Sequence, residues 1–133
     1  IAENAAKNLK KVSLELGGKN SLIILDDADI EIAVANIAWG VFLHSGQICM
    51  TSGKILIHES IYQKVKNRII EKVLDYSVGN PSDESTTIGP LIDIKQANRV
   101  IQLIKNAVQH GAKLEIGGTS EGVFVQPTVL SDV

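Results

Sequence analysis

One cysteine, Cys49, stands in the stretch SGQICMTSG (residues 45–53), flanked by glycines and small polar residues rather than set in an apolar run. Such a thiol is either a small packing residue or a nucleophile. The second role needs access and a thiolate stabilised by backbone N–H groups or a nearby positive charge. Upstream, LELGGKN (residues 14–20) sets Glu15 two residues before the pair Gly17-Gly18. Glu15 is either a solvent-facing residue ahead of a plain turn or a carboxylate aimed into a cleft, where the glycines let a ligand approach the backbone. Jointly, a thiolate and a carboxylate base support a covalent route. The thiolate attacks a carbonyl, and water activated by the carboxylate then releases the acyl group. Spacing alone does not bring the two together.

Other chemistries find less support. GGK lacks the GxxxxGK[ST] spacing of a phosphate loop, because Ser13 and Asn20 occupy the required positions. His44, His58 and His110 form no pair or cluster with metal-site spacing, so no metal is expected. His44, five residues from Cys49, is a poor candidate for a thiol–imidazole dyad. Lys19, Lys54 and Arg99 read as surface or capping residues, and Trp39 as a core residue of a helix.

The net charge of −2, with acidic and basic residues interspersed, gives no footprint for nucleic acid or a membrane surface. A 44% apolar and 21% charged composition is that of a folded globular chain. Its longest apolar stretch (32–43) is too short to span a bilayer, and the first residues do not read as a signal peptide. A lone free thiol fits a reducing compartment, and a cytoplasmic location is expected. The chain starts without methionine, which suggests an excerpt from something longer.

The elements that must position these residues follow the alternation of an α/β domain. KVSLEL (11–16) alternates like a strand with one polar face, and Glu15 would project from its end, since clefts in parallel sheets form beyond the carboxyl ends of strands. SLIILD (21–26) is a nearly continuous apolar run, the habit of a strand covered on both sides. Asp26, Asp27 and Asp29 offer caps for a helix burying Ile30, Ala33, Val34, Ile37 and Val41. That helix ends near His44, so Cys49 comes from a loop ahead of a strand at KILIH (54–58). A helix from Ser60 to Tyr76 follows, then a Gly/Pro/Ser/Thr-rich loop at 77–93. A third helix, from Asp93 to His110, is capped by Asp93 with Gln96 three residues on and buries Ala97, Val100, Ile101, Ile104 and Val108. Gly111 closes it, and short strands follow, the last interrupted by Pro127. The order implies a mostly parallel sheet with flanking helices and right-handed crossovers.

LELGGKN and GQIC (46–49) resemble the glutamate and cysteine signatures of the NAD(P)-dependent aldehyde dehydrogenases. The similarity continues through DDADIEIAV, VGNPSDESTTIGPLID and HGAKLEIGG to FVQPTVLSDV, in collinear order over essentially the whole chain. The resemblance implies Cys49 as nucleophile and Glu15 as general base, in an oxidation of an aldehyde to a carboxylic acid through a thiohemiacetal and a thioester. NAD or NADP is the implied cofactor, and the Cys49 N–H the implied oxyanion donor. By the same analogy Leu16 and Gly17 lie near the nicotinamide. Gln96 matches a position near the cofactor ribose, where Arg99 replaces the more usual lysine. Trp39 and Leu43 match positions lining an aldehyde tunnel, and Ile48 and Met50 flank the nucleophile, which leans toward an apolar aldehyde.

Family members run to several hundred residues, so the resemblance implies a partial catalytic domain. Residues 1–16 would end the coenzyme-binding domain and 17–133 would form part of the catalytic domain. The parent is expected to be a homo-oligomer, and the isolated segment to be inactive. Two alternatives differ in chemistry: transfer of the acyl group to coenzyme A, against which Glu15 argues, and a non-catalytic structural member of the fold.

Overall fold

A computed structural model describes residues 1–133. A short helix α1 (Ala2–Ala6) is followed by residues 10–19 without regular structure. Strand β1 (Asn20–Ile24), helix α2 (Ile30–Phe42), strand β2 (Ser52–Ile57) and helix α3 (Glu59–Leu74) form the first layer. Helix α4 (Ile94–Gln109) leads to β3 (Lys113–Ile116), β4 (Ser120–Glu121), β5 (Phe124–Val125) and β6 (Val129–Ser131). No helix is long and apolar enough to cross a membrane.

The α/β class holds, with the parallel character concentrated in one ladder. β1 pairs with β2 in parallel, from Asn20↔Ser52 to Ile24↔Ile57. β3 pairs with β6 and β4 with β5, both antiparallel. Pro127, lacking an N–H, lies between β5 and β6, and the two segments go to different partners.

Helices α2 and α3 form as their patterns predict. Asp29 caps α2 by accepting the Ile32 N–H at 3.0 Å, and Asp93 caps α4 by accepting the Gln96 N–H at 2.7 Å. Three-and-four spacing puts Val34 and Ile37 of α2 against Val65, Ile69 and Val73 of α3, over Ile24 of β1. Each such buried aliphatic side chain contributes about 1.5–3 kcal/mol. Phe42 meets Tyr76 edge to face at 5.8 Å, tying the end of α2 to the segment after α3.

Four expectations change. The KVSLEL segment is no strand: residues 11–16 are exposed and have no ladder partner, and alternation cannot make a strand without one. β1 is covered only in part, because Ile23 (65% exposed) and, just past its end, Leu25 (58%) stay open to solvent. Val108 at the end of α4 is exposed rather than buried. Trp39, expected in the core, is 58% exposed on the outer side of α2.

An ionic cluster with Lys66 and Glu115 largely covered and Lys113 exposed joins α3 to the β3–β6 ladder. Glu115 Oε1 accepts from Ser131 Oγ at 2.6 Å, Lys66 Nζ at 3.0 Å and Lys113 Nζ at 3.1 Å. The Ser131 hydroxyl first, then the two ammonium groups, hold the Glu115 carboxyl down at about 2. A depressed folded-state value stabilises the fold above the ordinary carboxylate range, and that contribution is lost as pH falls toward 2. Glu115→Gln is therefore expected to lower stability at neutral pH and flatten its fall between about pH 5 and 2. Denaturation midpoints across that range check this, and parallel curves for the two proteins would refute it.

Candidate active site

The parallel ladder sets the geometry of the site. LELGGKN leads directly into β1 and GQICMT leads directly into β2, so both signature segments lie at the amino ends of a parallel pair. Glu15 thus precedes β1 instead of ending a strand, and the expected cleft beyond strand carboxyl ends is replaced by one at their starts. The segments touch at Asn20, with Gly18 close by. A Cβ on Gly18 would sit 3.7 Å from the Cys49 carbonyl oxygen, in ordinary contact. Asn20 Nδ2 donates to the same oxygen at 2.8 Å and to Thr51 O at 3.4 Å.

Cys49 is exposed and occupies the second position of a turn, Ile48–Thr51, closed by the Thr51 N–H donating to Ile48 O at 3.1 Å. Its own N–H makes no hydrogen bond within the chain. Upstream, the end of α2 kinks through a 3₁₀ segment, Leu43–Gly46. There His44 (φ 47°), Ser45 (57°) and Gly46 (74°) are left-handed in succession. For the two non-glycine residues this costs on the order of 1–2 kcal/mol each and must be held by the surroundings. Ser45 Oγ donates to Gly89 O at 2.8 Å. The Gln47 amide donates to Pro90 O at 3.2 Å and accepts the Ile92 N–H at 2.9 Å. The 77–93 loop is thereby the floor on which the cysteine turn rests.

Two depressions flank this turn. An apolar groove of about 540 Å³ is lined by Ile23, Leu25, Ile32, Trp39 and Met50, with Asn36 and Asp29 at its polar margin. A more polar cleft of about 830 Å³ is lined by Ser45, Gln47, Pro90, Ile92, Gln96 and Arg99. Cys49 falls in the chain between Gln47, which faces the cleft, and Met50, which faces the groove.

Of the residues singled out from sequence, Trp39 and Met50 share the groove, whereas Leu43 and Ile48 are half-buried outside its lining. Gln96 shares the cleft with Gln47 and Arg99. Leu16 and Gly17 stand in the exposed segment before β1, with nothing within 4 Å of where a Gly17 side chain would begin. Glu15 is exposed in the same segment and makes no hydrogen bond or ion pair. Sequence reasoning passed over Asn20 and Gln47. The first carries a weak signal, an asparagine opening a strand against its low β propensity. The second lies inside the quoted motif, and its partners are distant backbone atoms.

The elements define an α/β segment built around a cysteine-bearing turn. The aldehyde dehydrogenase family model matches residues 1–133, and the chain belongs to that family. Vanillin dehydrogenase of an Amycolatopsis species is 46% identical over 131 residues, 98% of this chain and 27% of that protein. An NAD(+) benzaldehyde dehydrogenase of Pseudomonas putida is 43% identical over 133 residues, 100% of this chain and 27% of the relative. Among solved structures, the NADP complex of glyceraldehyde-3-phosphate dehydrogenase GapN from Methanocaldococcus jannaschii matches with a TM-score of 0.91 and 40% identity. That match covers 96% of this chain and 28% of the solved one. The chain thus spans about a quarter of the length of the relatives it matches.

An exposed thiol in a turn labels without unfolding. Native Cys49 is expected to react with iodoacetamide within about tenfold of the rate in denaturant, since access and thiolate fraction govern the reaction. Protection by several orders of magnitude would mean an enclosed packing cysteine.

Proposed function

We propose that this chain is the nucleophile-bearing segment of an aldehyde dehydrogenase that oxidises an apolar aldehyde, of the aromatic kind, to its carboxylic acid. Residues 17–133 belong to the catalytic domain and residues 1–16 to the end of the coenzyme-binding domain. The observation that carries the reading is the position of Cys49, exposed on a turn between an apolar groove and a polar cleft. The names of the vanillin and benzaldehyde dehydrogenases among its relatives support the substrate class.

In this reading the Cys49 thiolate adds to the aldehyde carbonyl carbon, giving a thiohemiacetal. The free Cys49 N–H donates to the developing oxyanion; losing such a donor costs about 3–4 kcal/mol in comparable sites. Conversion of this adduct to a thioester needs a hydride acceptor, the chemistry that NAD or NADP would supply when bound. Gln96 and Arg99 would hold the cofactor, since amide and guanidinium donors in one open cleft beside the cysteine turn suit ribose hydroxyls. Glu15 then takes a proton from water, whose oxygen attacks the thioester carbon and expels the thiolate as the acid forms. The exposed segment before β1 lets the Glu15 carboxylate reach solvent water, and Asn20 holds the end of that segment against Cys49.

In the complete polypeptide carrying this sequence, Cys49→Ala is expected to lower turnover at least about a thousandfold and abolish the acyl-enzyme. Retained oxidation would overturn the nucleophile assignment. Glu15→Gln is expected to slow deacylation by about 10²–10⁴-fold, so that a burst of reduced cofactor precedes slow turnover. A wild-type deacylation rate would remove Glu15 as the base, and a coenzyme A requirement for product release would replace hydrolysis with acyl transfer.

A further inference from the structure

We propose that Asn20 is a positioning residue for the nucleophile, tying the cysteine turn to the start of the parallel ladder so that Cys49 keeps its place; this rests on the reading of Cys49 as the attacking group. The turn Ile48–Thr51 is closed by the Thr51 N–H on Ile48 O. Its middle peptide joins Cys49 to Met50, and the carbonyl of that peptide is Cys49 O. The closing bond is internal to the turn and ties it to nothing outside, so a further contact must fix the turn against the ladder.

Asn20 Nδ2 supplies that contact, at 2.8 Å to Cys49 O, while reaching Thr51 O at 3.4 Å. One amide group thus spans the two carbonyls on either side of Met50. Asn20 is itself fixed by pairing with Ser52 at the first position of the β1–β2 ladder, where the register shifts before Ser21. The irregularity sits between the anchor and the regular ladder. On the upstream side, the Gln47 amide and Ser45 hydroxyl hold the left-handed residues to backbone atoms of the 89–92 segment. The turn is clamped at both ends, and only the Asn20 contact acts on the cysteine peptide itself.

Displacement of the turn as a body would carry Sγ and the free N–H of Cys49 together away from their place between groove and cleft. These two groups must face one carbonyl together, the sulfur its carbon and the N–H its oxygen. Asn20 thereby acts through Cys49 without touching the substrate. Removing its donor is expected to lower the rate of acyl-enzyme formation and leave KM little changed.

The test uses the complete polypeptide with Asn20→Ala and the isosteric Asn20→Asp, which keeps the volume and removes the N–H donor. Circular dichroism and thermal midpoints establish that the variants fold. Both are expected to lower the pH-independent single-turnover rate of acyl-enzyme formation about tenfold or more, the factor supplied by one hydrogen bond of ordinary net strength. The limiting rate of iodoacetamide labelling, which needs Sγ alone, should stay near wild type in Asn20→Ala. That pattern separates misdirection of the thiol from its burial. Unchanged acylation in the alanine variant, even with a lowered thermal midpoint, would overturn the proposal, as would failure of both variants to fold. A wild-type protein that forms no acyl-enzyme, or a Cys49→Ala variant that turns over, would instead overturn the reading on which it rests.

Discussion

Parallel strands cannot be joined by a tight turn; the chain must travel the length of the first strand and return before the second can begin. Here that return is residues 25–51, and it contains α2, the left-handed kink and the cysteine turn. Pairing Asn20 with Ser52 therefore has a consequence far larger than two hydrogen-bonded residues. It brings the segment before β1 and the segment before β2 to the same edge, and a slip of one position would send Ile24 and Ile57 to the wrong face. The core of Val34, Ile37, Val65, Ile69 and Val73 opposes that slip, because it accepts only one face of the ladder. Hydrophobic packing some distance away thus holds the glutamate and cysteine motifs side by side.

The surroundings of Cys49 divide by chemistry. One neighbour in the chain faces apolar side chains and another faces amide and guanidinium groups. Cys49 lies in the chain between the two, and the proposed reading gives the apolar side to the aldehyde and the polar side to the cofactor. The kink ahead of the cysteine turn is strained backbone, and the strain is contained by hydrogen bonds from Ser45 and Gln47 to the Gly/Pro/Ser/Thr-rich loop. The 77–93 segment, dense in residues that favour turns, therefore has a supporting role beneath the site.

Much of this was legible in the sequence, for identifiable reasons. Helices α2, α3 and α4 announce themselves by apolar spacing and by Asp29 and Asp93, because helix bonds and caps are local. The loop setting of Cys49 follows from its glycines. Strands are different, since their bonds go to residues that no local pattern identifies. Val12, Leu14 and Leu16 alternate well and yet have no partner, so their segment stays irregular. The exposure of Ile23, Leu25 and Trp39 was equally hidden, because apolar identity tells what would gain from cover and says nothing of whether cover is present. Asn20 and Gln47 escaped for a third reason: their partners are carbonyls and an N–H brought close only by the fold.

The partners of Asn20, Ser45 and Gln47 are all main-chain atoms: Cys49 O, Thr51 O, Gly89 O, His44 O, Pro90 O and the Ile92 N–H. Every non-proline residue offers both such groups, whatever its side chain. Mutational drift at the contacted positions therefore leaves the scaffold of the turn intact, while the linings of groove and cleft are free to change. Descendants of one ancestral sequence can exchange Trp39 or Met50 for other shapes and acquire new preferences without rebuilding the apparatus that presents the sulfur.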